Sequence, residues 1–153
     1  MRDVLEIFVD GACSGNPGPA AIGVVLRQDG KTVKEVSQTI GDATNNIAEY
    51  SALVYALQEA LVLKADRVKV FTDSELVFSQ VNGSYKVKNE RLKFLFDQVQ
   101  HLKRGFQDVT ITHIPREQNK EADKLATTAL KKQAKTVAPL FDNGGEESPS
   151  SEG

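Results

Sequence analysis

Asp29-Gly30 separates two β-rich runs, Ala20 to Gln28 and Lys31 to Ile40, and a two-residue Asp-Gly link between such runs is a strong signal for a hairpin. Upstream, Leu5, Ile7 and Val9 alternate with Val4, Glu6 and Phe8 in a mostly apolar run, the pattern of a central strand ending at Asp10. A Gly/Pro turn connects this run to the hairpin, so the first part of the chain predicts an antiparallel meander of three strands. Leu53, Ala56, Leu57, Ala60 and Leu61 then recur at helical spacing, in a helix beginning near Asn45 or Asn46. Val68 to Thr72, β-branched and aromatic, is a fourth strand, and a helical crossover places it beside strand 1 and parallel to it. The remaining pattern predicts a short helix over Ser74 to Val81, a break at Asn82-Gly83-Ser84, a longer helix from Asn89 to Leu102, and a fifth strand from Val109 to Ile114. Pro115 stops that strand, and Asn119 is expected to cap a last helix running through Ala122, Ala126, Ala129 and Leu130.

With 153 residues and 40% hydrophobic content, the chain has enough apolar side chain for one ordinary core. No apolar run approaches the roughly 20 residues of a membrane span, and Met1-Arg2-Asp3 opens directly into a strand, which predicts a cytoplasmic protein with no membrane partner. A single cysteine, Cys13, excludes an internal disulfide, and there is no Cys/His zinc pattern. The net charge of −2 conceals a division: every Lys and Arg lies at or before Lys135, whereas Asp142, Glu146, Glu147 and Glu152 lie beyond it. Residues 1–136, the expected folded domain, are therefore net basic, which suits a polyanionic partner. Residues 137–153 have the composition of an acidic, disordered tail.

Four acids stand at the ends of these elements. Asp10 and Asp73 follow strands that should lie side by side, at the carboxyl ends where open α/β sheets place their sites. Glu49 lies on the stripe of Leu53, Ala56 and Ala60, where a glutamate should not be, and Asp123 repeats the pattern with Ala126 and Leu130. Each has an ordinary explanation when taken alone: a turn aspartate before Gly11, a helix cap before Ser74, a solvated helix glutamate, a first-turn aspartate.

Together, Val9-Asp10-Gly11-Ala12-Cys13-Ser14-Gly15-Asn16-Pro17-Gly18, Thr44-Asn45-Asn46-Ile47-Ala48-Glu49-Tyr50, Phe71-Thr72-Asp73-Ser74 and Pro115-Arg116-Glu117-Gln118-Asn119-Lys120-Glu121-Ala122-Asp123-Lys124-Leu125-Ala126 give a chain that resembles the type I ribonuclease H family over roughly residues 4 to 133. The resemblance implies an α/β ribonuclease H-like fold. Its five-stranded mixed sheet has the order 3-2-1-4-5, with strands 1 to 3 an antiparallel meander, strands 1, 4 and 5 parallel, and helices on both faces. It further implies an endonuclease, monomeric, that hydrolyses the RNA strand of RNA/DNA hybrids and leaves 5′-phosphate and 3′-hydroxyl ends. Asp10, Glu49, Asp73 and Asp123 would be the catalytic, metal-holding groups.

Four carboxylates held close together repel, and an all-oxygen set favours hard divalent ions: Mg²⁺, two with substrate bound, and Mn²⁺ as a substitute. Telling RNA from DNA requires short polar groups and backbone amides that reach the 2′-hydroxyl in the minor groove. Gly11, Cys13, Ser14, Asn16, Asn45, Asn46, Ser74 and Arg116 are the expected substrate contacts. Around the predicted helix from Asn89 to Leu102, Lys86 and Lys88, with Arg91, Lys93, Lys103, Arg104 and Tyr85, offer phosphate contacts to the DNA strand. A solvated helix face accounts for them equally well.

The chain departs from many relatives in three places. Glu75 stands where glutamine is common, only Gly83 to Asn89 stands where some insert a basic protrusion, and Pro115-Arg116-Glu117-Gln118 replaces a glycine-rich loop bearing a histidine. His113 is placed on the fifth strand, with less reach than a loop histidine, and Arg116 or Glu117 would take over part of that loop's role. Two other readings stay open: a hybrid-binding module that does not cleave, and an exonuclease on a related fold, which would usually carry a second acid where this chain has Ala12.

Overall fold

The computed structural model of the chain describes residues 4–83 and 86–142, with side chains described as far as residue 133. Three strands come first, β1 (Val4–Cys13), β2 (Gly18–Gln28) and β3 (Lys31–Ala43), followed by α1 (Asn45–Val62) and β4 (Arg67–Thr72). Then come α2 (Glu75–Val81), α3 (Glu90–Lys103), β5 (Asp108–His113), a 3₁₀ turn at Arg116–Gln118, and α4 (Lys120–Asp142). The sheet order is β3-β2-β1-β4-β5, with β1–β2 and β2–β3 antiparallel and β1–β4 and β4–β5 parallel, as the resemblance implies. Asp29 and Gly30 both take positive φ, 55° and 78°, as the tight hairpin turn requires.

Leu5, Ile7, Val9, Ile22, Val24, Leu26, Val68 and Val70 form one face of the sheet and pack on Leu53, Ala56, Leu57 and Ala60 of α1, where the main core lies. Four residues of the stripe read from the sequence thus form the buried face of that helix, while Leu61, near its C-terminal end, is exposed. On the opposite face α4 crosses β2 so closely that its backbone at Ala122 and Ala126 occupies the space where a side chain at Gly23 would stand. Because side chains alternate along a strand, Asp10, paired with Gly23, points to the α4 side.

Strand 1 does not end at Asp10. It runs on to Cys13 because its pairing with β2 continues through Cys13↔Ala20 after the ladder with β4 stops at Val9↔Thr72. Ser74 is the N-cap of α2 and not its first residue: its Oγ accepts from the Val77 N–H. Asn119 does not cap α4 with its side chain, which is turned inward to β1 and Asp73. Asn89 does cap α3, and Thr44 caps α1. Helix α4 continues to Asp142, past the boundary expected at residue 136, while the rest of the acidic tail, 143–153, and Ser84 and Tyr85 lie outside the described residues.

Candidate metal centre

Asp10, Glu49 and Asp73 each offer a carboxylate oxygen, and these three oxygens lie within 4.8 Å of one another. Three elements deliver them. Asp10 stands near the end of β1, Asp73 directly follows β4, its parallel neighbour, and Glu49 lies in the first turns of α1, which crosses above both. Gly11 permits that crossing. The backbone of Ala48 and Glu49 fills the space of its missing side chain, and its N–H donates to Glu49 Oε1 at 3.1 Å.

Asp123, in the first turn of α4, lies outside that close group of three but adjoins it, near enough to the Asp10 carboxyl to help push its pKa up. Its Oδ1 also lies 3.8 Å from Arg116 Nη2, an exposed guanidinium that reaches over from the 3₁₀ turn.

Burial and charge crowding act together on this site. Asp10 is 5% exposed, and its burial, then the charges of Glu49 and Asp73 and the contact with Asp123, push its carboxyl from 3.8 up to about 9. Burial and then Asp73 push Glu49 from 4.5 up to about 8, against the opposing pull of the Gly11 N–H and Arg116. Left alone, these groups retain protons at neutral pH. A hard divalent cation removes the conflict, and a partly buried, all-oxygen, negatively charged donor set fits such an ion.

Of the expected substrate contacts, Ser14, Asn16, Asn45 and Asn46 are exposed, and Asn16 Oδ1 accepts from the Asn45 N–H at 2.9 Å, which joins the loop after β1 to the start of α1. The Cys13 thiol points to the carbonyls of Gly15 and Ala43, the latter at 2.9 Å. Gly11 faces α1, with its N–H committed to Glu49. The Ser74 hydroxyl is engaged as a cap, and Glu75 is exposed at the first position of α2. Lys86 and Lys88 are exposed just before α3. His113 is the last residue of β5, its ring tilted against Phe78 at 5.7 Å, and Glu117 is exposed in the 3₁₀ turn.

Sequence reasoning assigned no site role to Asn119, which is 1% exposed and donates from Nδ2 to Val9 O at 2.8 Å and to Asp73 Oδ2 at 3.3 Å. Only its spacing, four residues before Asp123, could have drawn attention to it. Among the described residues, no helix is long and apolar enough to cross a membrane.

Residues 8–129 match the reverse transcriptase-like family. Ribonuclease HI of Halobacterium salinarum is 44% identical over 127 residues, 82% of this chain and 64% of the relative. The bifunctional protein Rv2228c of Mycobacterium tuberculosis is 41% identical over the whole of this chain, which spans 43% of that protein's length. Ribonuclease H of Chelativorans is 33% identical over 97% of this chain and 94% of its own. Among solved structures, RNase H1 of Halobacterium salinarum superposes with a TM-score of 0.83 at 43% identity, covering 84% of this chain and 98% of the other. LC11-RNase H1, solved in complex with an RNA/DNA hybrid, gives 0.80 at 42% identity over 85% and 99%. With its sheet order, its acidic cluster and these likenesses in agreement, the chain belongs to the type I ribonuclease H family.

Proposed function

We propose that this chain is a metal-dependent endonuclease that hydrolyses the RNA strand of RNA/DNA hybrids. The observation that carries the reading is the convergence of Asp10, Glu49 and Asp73 to within 4.8 Å, with Asp123 beside Asp10, in a chain 42% identical to a protein solved with such a hybrid bound.

Asp10, Glu49, Asp73 and Asp123 would hold two Mg²⁺ ions when substrate is bound, or Mn²⁺ in their place. Such ions lower the pKa of an attacking water and neutralise charge on the departing oxygen. The chain's own part is to hold these carboxylates in a partly dry pocket at the sheet end. The exposed groups Ser14, Asn16, Asn45 and Asn46 would read the minor groove, and Arg116 would supply a positive charge toward Glu49 and Asp123. In the overall reaction, water adds to phosphorus, the bond to O3′ breaks and that oxygen takes a proton, which leaves a 5′-phosphate and a 3′-hydroxyl. Lys86 and Lys88 would contact phosphates of the DNA strand, and Glu75 would weaken the grip that a neutral amide gives at its position. The protein would act as a monomer in the cytoplasm.

A labelled hybrid incubated with Mg²⁺, Mn²⁺ or chelator tests this. The parent cuts only the RNA strand and needs the ion. Asp10→Asn should lose more than the roughly 10- to 100-fold that removing a ligand's outer partner costs. Ion-dependent cleavage at the parent rate by Asp10→Asn would defeat the assignment.

A further inference from the structure

We infer that Asn119 is a positioning residue that fixes the orientation of the Asp73 carboxylate within the acidic cluster. One amide group donates both to Val9 O, at 2.8 Å, and to Asp73 Oδ2, at 3.3 Å. Val9 is the last β1 residue in register with β4, and Asp73 is the first residue beyond that ladder, so the amide bridges the two strands at the point where they part. The same residue is anchored at both backbone ends: its N–H donates to Arg116 O at 2.9 Å, and its C=O accepts from the Asp123 N–H at 3.1 Å. Asn119 therefore touches the residue before Asp10, the side chain of Asp73 and the backbone of Asp123.

The contacts also set which way the amide faces. A reversed amide would bring its oxygen against a carbonyl and a carboxylate, so donation by Nδ2 is the only compatible arrangement. Few other side chains could serve. Aspartate would add a fifth negative charge against Asp73, and leucine would leave Val9 O without its donor. Asn119 Oδ1, by contrast, is buried with no partner among the described residues. A side chain kept for packing alone would not retain a buried, unpaired acceptor, because an apolar residue of similar size avoids that penalty. The unpaired oxygen is the consequence of holding the two hydrogens where they are. Burial also fixes the geometry: at 1% exposure, water cannot replace the amide.

The structural claim stands on these contacts, and its consequence for ion binding rests on the proposed nuclease reading. Two measurements on the full chain separate them. In chelator, thermal unfolding of the parent, Asn119→Ala, Asp73→Ala and the double variant forms a cycle in which the lost Val9 contact cancels. A double-variant shift smaller than the sum of the single shifts is expected, and additive shifts overturn the inference. Should Asn119→Ala not fold, Asn119→Ser, which keeps a hydroxyl donor, takes its place in the same cycle. Calorimetric titration with Mn²⁺ should then show at least a tenfold weaker Kd for Asn119→Ala, and the additional loss should vanish in the Asp73→Ala background. An unchanged Kd in a parent that binds the ion overturns the inference and leaves the nuclease reading standing. A parent that binds no divalent ion overturns the metal reading, and the cycle in chelator still decides the role of Asn119.

Discussion

The Gly11 N–H donates to Glu49 Oε1 at 3.1 Å, while the α-carbon of Gly11 lies against the α1 backbone at Ala48 and Glu49. A strand residue and a helix residue 38 positions apart thus meet without an intervening side chain. This contact holds Glu49 against the strand residue that follows Asp10.

Gly11→Ala should consequently act on both fold and site. A methyl group has no free space there, and an obstacle of this kind in a packed core costs about 1–3 kcal/mol. We expect a lower urea midpoint with an unchanged slope and a weaker Mn²⁺ affinity in calorimetry. Parent-like values in both would show that α1 can shift at no cost.

The crowded carboxylates give the ion-free protein an inverted pH profile. Asp10 and Glu49 titrate in the fold at about 9 and about 8, against ordinary values of 3.8 and 4.5, so the fold keeps protons that the unfolded chain releases. Their contribution to stability is full below the lower pair of values and declines as pH rises through the upper pair. In chelator, Tm should fall across that window. Excess Mg²⁺ should reverse the trend above pH 7, by about 2.7 kcal/mol at 100 times its Kd, and calorimetry at neutral pH should detect proton release on binding. A flat chelator profile would contradict the shifts.

Arg116→Ala should separate function from stability. Its guanidinium is 79% exposed and stands 3.8 Å from Asp123, so Tm should move little, within the roughly 0.5 kcal/mol usual for surface positions. Glu49 would lose one of the two influences that lower its carboxyl. Cleavage of a labelled hybrid should slow by about tenfold, equivalent to about 1.4 kcal/mol. An unaffected rate would remove Arg116 from the site.

Tyr50→Phe should do the reverse. The Tyr50 hydroxyl, fully buried, donates to Gln80 Oε1 at 2.6 Å and ties α1 to α2. Its loss leaves a buried acceptor unpaired, a cost of about 1–3 kcal/mol. Chemical denaturation should register this while Mn²⁺ affinity stays within twofold of the parent.

Much of this was legible in the sequence because the relevant signals are local. Asp29-Gly30 announced the hairpin, and the spacing of Leu53, Ala56, Leu57 and Ala60 gave the buried face of α1, which in turn exposed Glu49 as misplaced. Asp10 and Asp73 could be paired because a helical crossover leaves one sensible neighbour for β4. What escaped depends on distances between elements. That β1 outlasts its ladder with β4 and stays paired to β2 as far as Cys13 has no local marker. That the Cys13 thiol turns to the carbonyls of Gly15 and Ala43 is a matter of rotamer. Asn119 has the composition of a helix cap, and only tertiary packing turns its amide to Val9 and Asp73.

The three clustered carboxylates come from β1, α1 and the end of β4, so none of the pocket exists until the crossover through α1 has closed and β4 has docked. A chain still emerging from the ribosome without its fourth strand therefore carries Asp10 and Glu49 but not Asp73, and the three-carboxylate pocket cannot form until translation has passed that strand. Formation of the pocket and closure of the central sheet around β4 become a single event.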